Sequence, residues 1–263
     1  MLYQIRHETR CRFDSPATYS IHKLRVTPRE DAGQRLKRSQ IIAPARCSKS
    51  HDVWGNTAHL MTLTAPHDEI DVISLSTLET VDAGPQLAAH GGLAPLAFLA
   101  ETPLTAPDEG LREFAMQHLG GSGSNRLGAV REFLSAVTER VQLAAAPCEG
   151  ARPAFARGNG ASCDQTHVFL AACRAASIPA RFVSGYLLSE LDHATGHAWA
   201  DVWLGADYGW ISFDVSNARL ADGNLVRLAV GRDRLEACSL RGSHQGGGVE
   251  AVEERISVTR VRN

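Results

Sequence analysis

GNGASCDQTHVFLAACRAASIPAR, residues 158–181, predicts a helix that opens on a cysteine. Gly158, Asn159 and Gly160 form a turn. Beyond it Val168, Leu170, Ala171, Ala172 and Ala175 recur with helical spacing, and Pro179 stops the run. Ser162, Cys163 and Asp164 stand at the mouth of this helix. A thiol placed there meets the free N–H groups and the positive dipole end of the first turn, which favour thiolate over thiol. Such a site can lower a cysteine pKa from about 8.5 to roughly 3.5–7.5. Against this stands the plain alternative, a buried cysteine that only packs.

Downstream, Arg181–Leu188 predicts a strand, Asp192–Gly196 a turn, and His197–Leu204 a second strand. A turn over Gly205–Asp207 leads into a third strand, Tyr208–Phe213, which Asp214 ends. The last two strands form an antiparallel pair, so a histidine starting one and an aspartate ending the other come within hydrogen-bonding reach. A nucleophile needs a base, and the base a third group to orient it. Cys163, His197 and Asp214 supply those roles in chain order. His167, one turn after Cys163, reads as a structural histidine near the site. Trp199, Trp203 and Trp210 are candidates for lining the cleft, with strand packing as the alternative for at least two of them.

Upstream, Tyr3, Ile5, His7, Thr9, Cys11 and Phe13 alternate with polar residues as in a half-buried strand, which Asp14-Ser15-Pro16 ends. Further strands are expected at Tyr19–Thr27, Gln40–Ile42, Ala58–Leu63 and Ile70–Leu78, together a sandwich-like antiparallel domain. The histidines here, His22, His51, His59 and His67, lack the close spacing of a metal site. Asp108-Glu109 opens a short helix, residues 120–125 form a loop, and Leu127–Leu143 predicts a packing helix. Leu225–Val230 and Ile256–Val261 return to strand, with a loop over Gly242–Gly248 between them. The expected division is a β-rich domain over 1–85, a helical segment over 86–145 and a core over 146–263.

A near-neutral chain, with 27 Lys+Arg against 29 Asp+Glu, offers no broad electrostatic basis for binding nucleic acid. The start, MLYQIRHETRCRF, places charges where a signal peptide needs apolar residues, and no run approaches the ~18 apolar residues of a membrane span. Six cysteines (Cys11, Cys47, Cys148, Cys163, Cys173, Cys238) follow neither a disulfide framework nor a CxxC zinc pattern. These features predict a cytoplasmic protein in a reduced compartment, without membrane or nucleic-acid partners. Zinc on Cys163, His167 and Cys173 is disfavoured because that spacing does not converge on one helix face. Gly160–Asp164 falls short of the G-x-S-x-G elbow, since Asp164 replaces the last glycine.

Several motifs together resemble the bacterial transglutaminase-like cysteine peptidases. They are Asp164-Gln165-Thr166-His167, Ile178-Pro179-Ala180-Arg181, Val183-Ser184-Gly185-Tyr186-Leu187, His197-Ala198-Trp199 and Gly209–Asp214. His7-Glu8-Thr9, residues 24–29, Trp54-Gly55-Asn56 and Pro66-His67 resemble the β-rich N-terminal domain of that family, and Gly231-Arg232-Asp233 a motif near its end. The resemblance implies an α+β fold: a papain-like, transglutaminase-like core whose nucleophile-bearing helix packs on an antiparallel sheet, after an N-terminal β-sandwich-like domain. It implies no cofactor, no metal, and a peptide or protein substrate cleaved or transferred at an amide bond. In the family pattern the cysteine lies five positions before the histidine, which is Ser162 here, and Cys163 stands where glutamine is usual. Three readings follow: a shifted Cys163 nucleophile with His197 and Asp214, a weak hydrolase using Ser162, or an inactive binding module that keeps the fold.

Overall fold

The computed structural model describes residues 1–87, 93–121, 123–189 and 193–261. In chain order come β1 (Leu2–Leu24), β2 (Gln34–Ile42), β3 (Cys47–His51), β4 (Thr57–Leu63), β5 (His67–Thr80) and β6 (Gln86–Leu87). Then follow α1 (Glu109–Leu119), α2 (Arg126–Arg140), β7 (Gln142–Leu143), α3 (Ala151–Arg157) and β8 (Asn159–Gly160). The rest is α4 (Ser162–Ala175), β9 (Ala180–Leu188), β10 (Ala194–Trp203), β11 (Trp210–Asp214), β12 (Arg219–Leu220), β13 (Leu225–Gly231), α5 (Arg234–Ala237), β14 (Leu240–Gly246) and β15 (Glu250–Val261).

The N-terminal sheet is built on β1. Its first half pairs with β5 and β15 and its second half with β4 and β14, all antiparallel. Alternation along β1 buries Cys11, Phe13, Ala17 and Leu24 in a core with Met61, Ile70 and Val72. Two expectations are corrected here. Asp14-Ser15-Pro16 does not end the strand; the ladder to β5 is interrupted between Arg12 and Ala17 instead. Pro16 has no N–H to lose at that break, while the amides of Asp14 and Ser15 donate to Val249 and Gly247 carbonyls. Of the loop expected over Gly242–Gly248, residues 242–246 belong instead to β14, and only Gly247 and Gly248 lie outside a strand. A Cβ on Gly242 would come within 2.3 Å of His22 Nδ1, so the glycine lets the strand close over that buried ring.

The core sheet has the order β12-β11-β10-β9-β13, with β6 beside β11. Helix α4 is buried along its length from Asp164 to Arg174, packed between the sheet and helices α1 and α3. Val168, Phe169 and Leu170 are fully buried, each contributing about 1.5–3 kcal/mol of apolar burial. Helix α2 stops at Arg140 rather than running to Leu143. The Gln142 side chain donates to the carbonyls of Thr138 and Glu139, and Gln142-Leu143 pairs with Asn159-Gly160. Of the turn expected over Asp192–Gly196, Asp192 lies outside the described residues, and Ala194–Gly196 already belong to β10.

Side-chain amides join the two sheets. Asn56, fully buried after the Gly55 turn (φ +75°), donates to the Val230 carbonyl at 2.7 Å and accepts the Val230 N–H at 2.8 Å. Gln34 brackets Arg227 in the same way, Nε2 to its carbonyl and Oε1 from its N–H, each at 2.8 Å. Both residues thus extend β13 as a neighbouring strand would. The sequence-defined core region does not act alone: its last strands, β14 and β15, complete the N-terminal sheet.

Candidate active site

Helix α4 begins where Asp164 gathers three backbone donors. Its Oδ1 accepts from Glu149 N at 2.9 Å and Gly150 N at 2.8 Å, and Oδ2 from Ala161 N at 3.0 Å. The bond to Ala161 is the return half of a capping box, on a residue with no side chain to complete it. Asp164 thereby ties the 144–150 segment to the helix start, helped by Ala144 N donating to Gly160 O at 2.8 Å. Ser162 and Cys163 follow as the first helical residues, half-buried, at the wall of a cleft of about 500 Å³. The opposite walls come from β9, β10, β14 and β15, among them Tyr186, His197, Leu240 and Glu254.

His197 reaches the cleft through the hairpin. Ala200 pairs with Phe213, which places Asp214 beside Trp199 and His197 two residues along the same face. His197 Nε2 lies 2.7 Å from Asp214 Oδ1, and Asn217 Nδ2 donates to Asp214 Oδ2 at 2.7 Å. Burial pushes the Asp214 carboxyl up, but His197, Asn217 and Arg219 together outweigh it and hold its pKa below the ordinary value. The ring therefore meets an ionised partner at Nε2, leaving Nδ1 as the nitrogen that can exchange a proton with the cleft.

The spacing of the six cysteines suggested no disulfide framework, but the structure pairs two of them. Cys163 is joined to Cys148 in a disulfide, with Cα atoms 6.1 Å apart; Cys11, Cys47, Cys173 and Cys238 are free. The contact follows from Asp164, which holds the Glu149 and Gly150 amides and so presents the preceding residue to the helix start. Sequence spacing could not show it, because helix α3 intervenes. The acidic residue in the first turn was the available signal.

His167 is fully buried, its Nδ1 3.7 Å from Cys148 Sγ and its Nε2 accepting the Arg234 N–H at 3.1 Å. Burial, reinforced by Arg174 and Arg234, drives its pKa down to about 3. It stays neutral and does not face the cleft as a base. Cys173 is fully buried and pushed up to about 12 by that burial. Two sulfurs and an Asp164 oxygen lie within 4.8 Å of one another at Cys148 and Cys163, but the sulfurs are bonded and Asp164 is committed to three amides, so the set fits a metal poorly.

The tryptophans do not line this cleft. Trp199 is buried, with its ring stacked 6.2 Å from His197, and Trp203 and Trp210 pack edge to face at 5.6 Å. Residues not assigned to the site from the sequence do line it: Tyr186 Oη bonds His7 Nδ1 at 2.8 Å, and Glu254 lies 3.4 Å from His7 Nε2. Burial raises the Glu254 carboxyl, yet His7, Ser239 and Arg234 more than offset it and its pKa is lowered.

A buried helix with a cysteine in its first turn, packed against antiparallel strands bearing a hydrogen-bonded His–Asp pair, defines a papain-like α+β protein. The chain belongs to the transglutaminase-like superfamily: residues 115–215 match the family of that description, and residues 3–79 match the bacterial transglutaminase-like N-terminal region. It is 27% identical over 284 residues to an uncharacterized protein of Mycobacterium leprae, covering 98% of each chain. An uncharacterized protein of Mycobacterium tuberculosis is 26% identical over 276 residues, covering 91% of this chain and 86% of its own. A crystal structure from Cytophaga hutchinsonii, described provisionally as a cysteine protease, superposes with a TM-score of 0.76 at 19% identity, covering 100% of this chain and 91% of that one. Among the described residues no helix is long and apolar enough to cross a membrane.

Proposed function

We propose that this chain is a thiol acyl-transfer enzyme acting on amide bonds of peptides or proteins, with Cys163 as nucleophile, His197 as acid and base, and Asp214 as the group that orients His197. The observation that carries this reading is the 2.7 Å contact between His197 Nε2 and Asp214 Oδ1 in the cleft that Cys163 lines. In the reduced protein the Cys163 thiolate attacks the amide carbonyl, and first-turn N–H groups of α4, Cys163 N among them, receive the developing oxyanion. His197 Nδ1–H gives its proton to the departing amine, leaving a thioester. Water or an amine, deprotonated by His197, then releases the acyl group and restores the thiolate.

Ser162 supports a second reading. It lines the same cleft and holds the family's cysteine register, so it is the alternative nucleophile with His197 as base. Its hydroxyl is far harder to ionise than a thiol. The test is the pH dependence of iodoacetamide labelling at Cys163 after reduction, in wild type and His197→Ala. A midpoint well below about 8.5 that rises in the variant supports the pair. An ordinary midpoint in both, with fluorophosphonate labelling of Ser162, transfers the role to the serine. Neither label leaves the fold as a binding module.

A further inference from the structure

We propose that Cys148 and Cys163 form a redox-exchangeable pair, opened by an external dithiol that attacks Cys163 Sγ from the cleft and expels Cys148 as a thiolate beside His167. The inference deepens the proposed function, because it makes release of the Cys163 thiolate a reductive step.

Three observations carry it. Cys163 lines the open cleft, whereas Cys148 is not among the residues that wall it. A sulfur that enters the cleft therefore meets Cys163. The second observation is the tautomer of His167. The Arg234 backbone N–H can only donate, so Nε2 is the acceptor and the proton of the neutral ring sits on Nδ1. That N–H points at Cys148 Sγ, 3.7 Å away, ready to stabilise negative charge there. A Cys148 thiolate thus has a hydrogen-bond partner when the bond opens, which gives attack on Cys163 a stabilised leaving group. Third, the geometry does not depend on the bond. Asp164 holds the Glu149 and Gly150 amides, and Gly160 the Ala144 amide, so the two cysteines stay near each other when the disulfide is open. A separation of 6.1 Å between their Cα atoms then permits reclosure without moving the backbone.

The exchange balances as follows. One thiolate of the dithiol forms a bond to Cys163 Sγ, and the disulfide electron pair leaves on Cys148 Sγ, which is protonated from solvent. The second thiolate attacks the reagent sulfur of the mixed disulfide and leaves as part of an oxidised reagent, freeing Cys163 as a thiolate. Two electrons pass from the dithiol to the pair.

The test uses the full chain in its oxidised form. Exposure to glutathione, a monothiol, followed by acid quench and N-ethylmaleimide labelling, is read by peptide mass spectrometry. The expected product carries glutathione on Cys163 and maleimide on Cys148, and dithiothreitol converts the protein to a form with both thiols labelled. Glutathione on Cys148, a disulfide that opens only when the chain unfolds, or Cys163 already labelled without reductant would overturn the proposal. Cys148→Ala should label at Cys163 without reductant, at the rate of the reduced wild type. His167→Phe, which keeps a ring against Phe182 and removes the N–H, should slow opening by about threefold or more. Exchange is read by mass, independently of acyl transfer. A pair that exchanges while reduced Cys163 shows no dependence on His197 upholds this inference and removes the proposed catalysis.

Discussion

Arg227 and Asp201 face each other as a buried two-pronged pair, Nη1 to Oδ2 at 2.6 Å and Nη2 to Oδ1 at 3.1 Å. Arg181 adds a bond to Oδ2 at 2.8 Å, Ser212 one to Oδ1 at 2.7 Å, and Arg227 Nε reaches Asp31, in the connection between β1 and β2, at 3.2 Å. Arg227→Met strips Asp201 of its main counter-ion inside the protein. The expected cost is about 3–5 kcal/mol, seen as a lowered urea midpoint, because a lone buried charge is dearer than the pair is favourable. An unchanged midpoint would show that Arg181 suffices.

Gly185 lies under the Trp199 ring. A Cβ there would stand 2.0 Å from the Val226 carbonyl oxygen and 2.5 Å from the indole, neither able to retreat. Gly185 also pairs with His197 across the β9–β10 ladder. Gly185→Ala should cost about 3 kcal/mol in a thermal or urea melt and blunt Cys163 alkylation in the reduced protein. Full stability in the alanine variant would contradict the packing described.

Asp164→Ala removes the acceptor of three amides. A loss on the order of 4 kcal/mol is expected, with faster hydrogen exchange at Gly150 and Ala161. Asp164→Asn should fall between, keeping Oδ1 for Glu149 and Gly150 while turning an NH2 against the Ala161 N–H. Exchange rates equal to wild type in the alanine variant would refute the role.

Stability should fall as pH drops from about 6.5, and His167 is one reason. Its folded pKa of about 3 lies below the unfolded value, so the unfolded chain takes a proton that the folded one refuses. The contribution is fully present above about 6.5, is lost progressively down to about 3 and amounts to on the order of 4 kcal/mol. His22 and His59, also lowered chiefly by burial, add to the slope; the depressed carboxylates of Asp201 and Asp214 act only further down, below about 4. Urea midpoints at pH 7 and pH 5 should differ less in His167→Phe than in wild type. Equal differences would acquit this residue.

Asp214→Asn replaces the oxygen that fixes the His197 tautomer. With the disulfide reduced, acyl transfer should fall by about 10²- to 10⁴-fold while the melting temperature changes little. A rate indistinguishable from wild type would remove Asp214 from the site.

Local patterns carried the central helix, the strands that follow it and the approach of His197 to Asp214, because a hairpin converts sequence spacing into position. What was illegible depends on partners far along the chain. Pro16 looked like a strand end because its ladder gap is visible only once β5 is in register. Gly242–Gly246 looked like a loop because the ring that demands glycine, His22, is more than two hundred residues away. Cys148 could not be matched to Cys163 without α3 and the Asp164 clasp between them. The tryptophans carried a strand signal, but no local pattern told the cleft face from the packed face.

The pairing of β1 with β14 and β15 bears on how the protein is made. When a ribosome has released the first eighty residues, β1 can bind β4 and β5, yet its other flank stays open along both halves until residues 240–261 emerge. A long strand with a bare edge invites pairing with a neighbouring nascent chain. Low translation rates late in the message, or loss of a trigger-type chaperone, should therefore show first as aggregation seeded by this N-terminal strand.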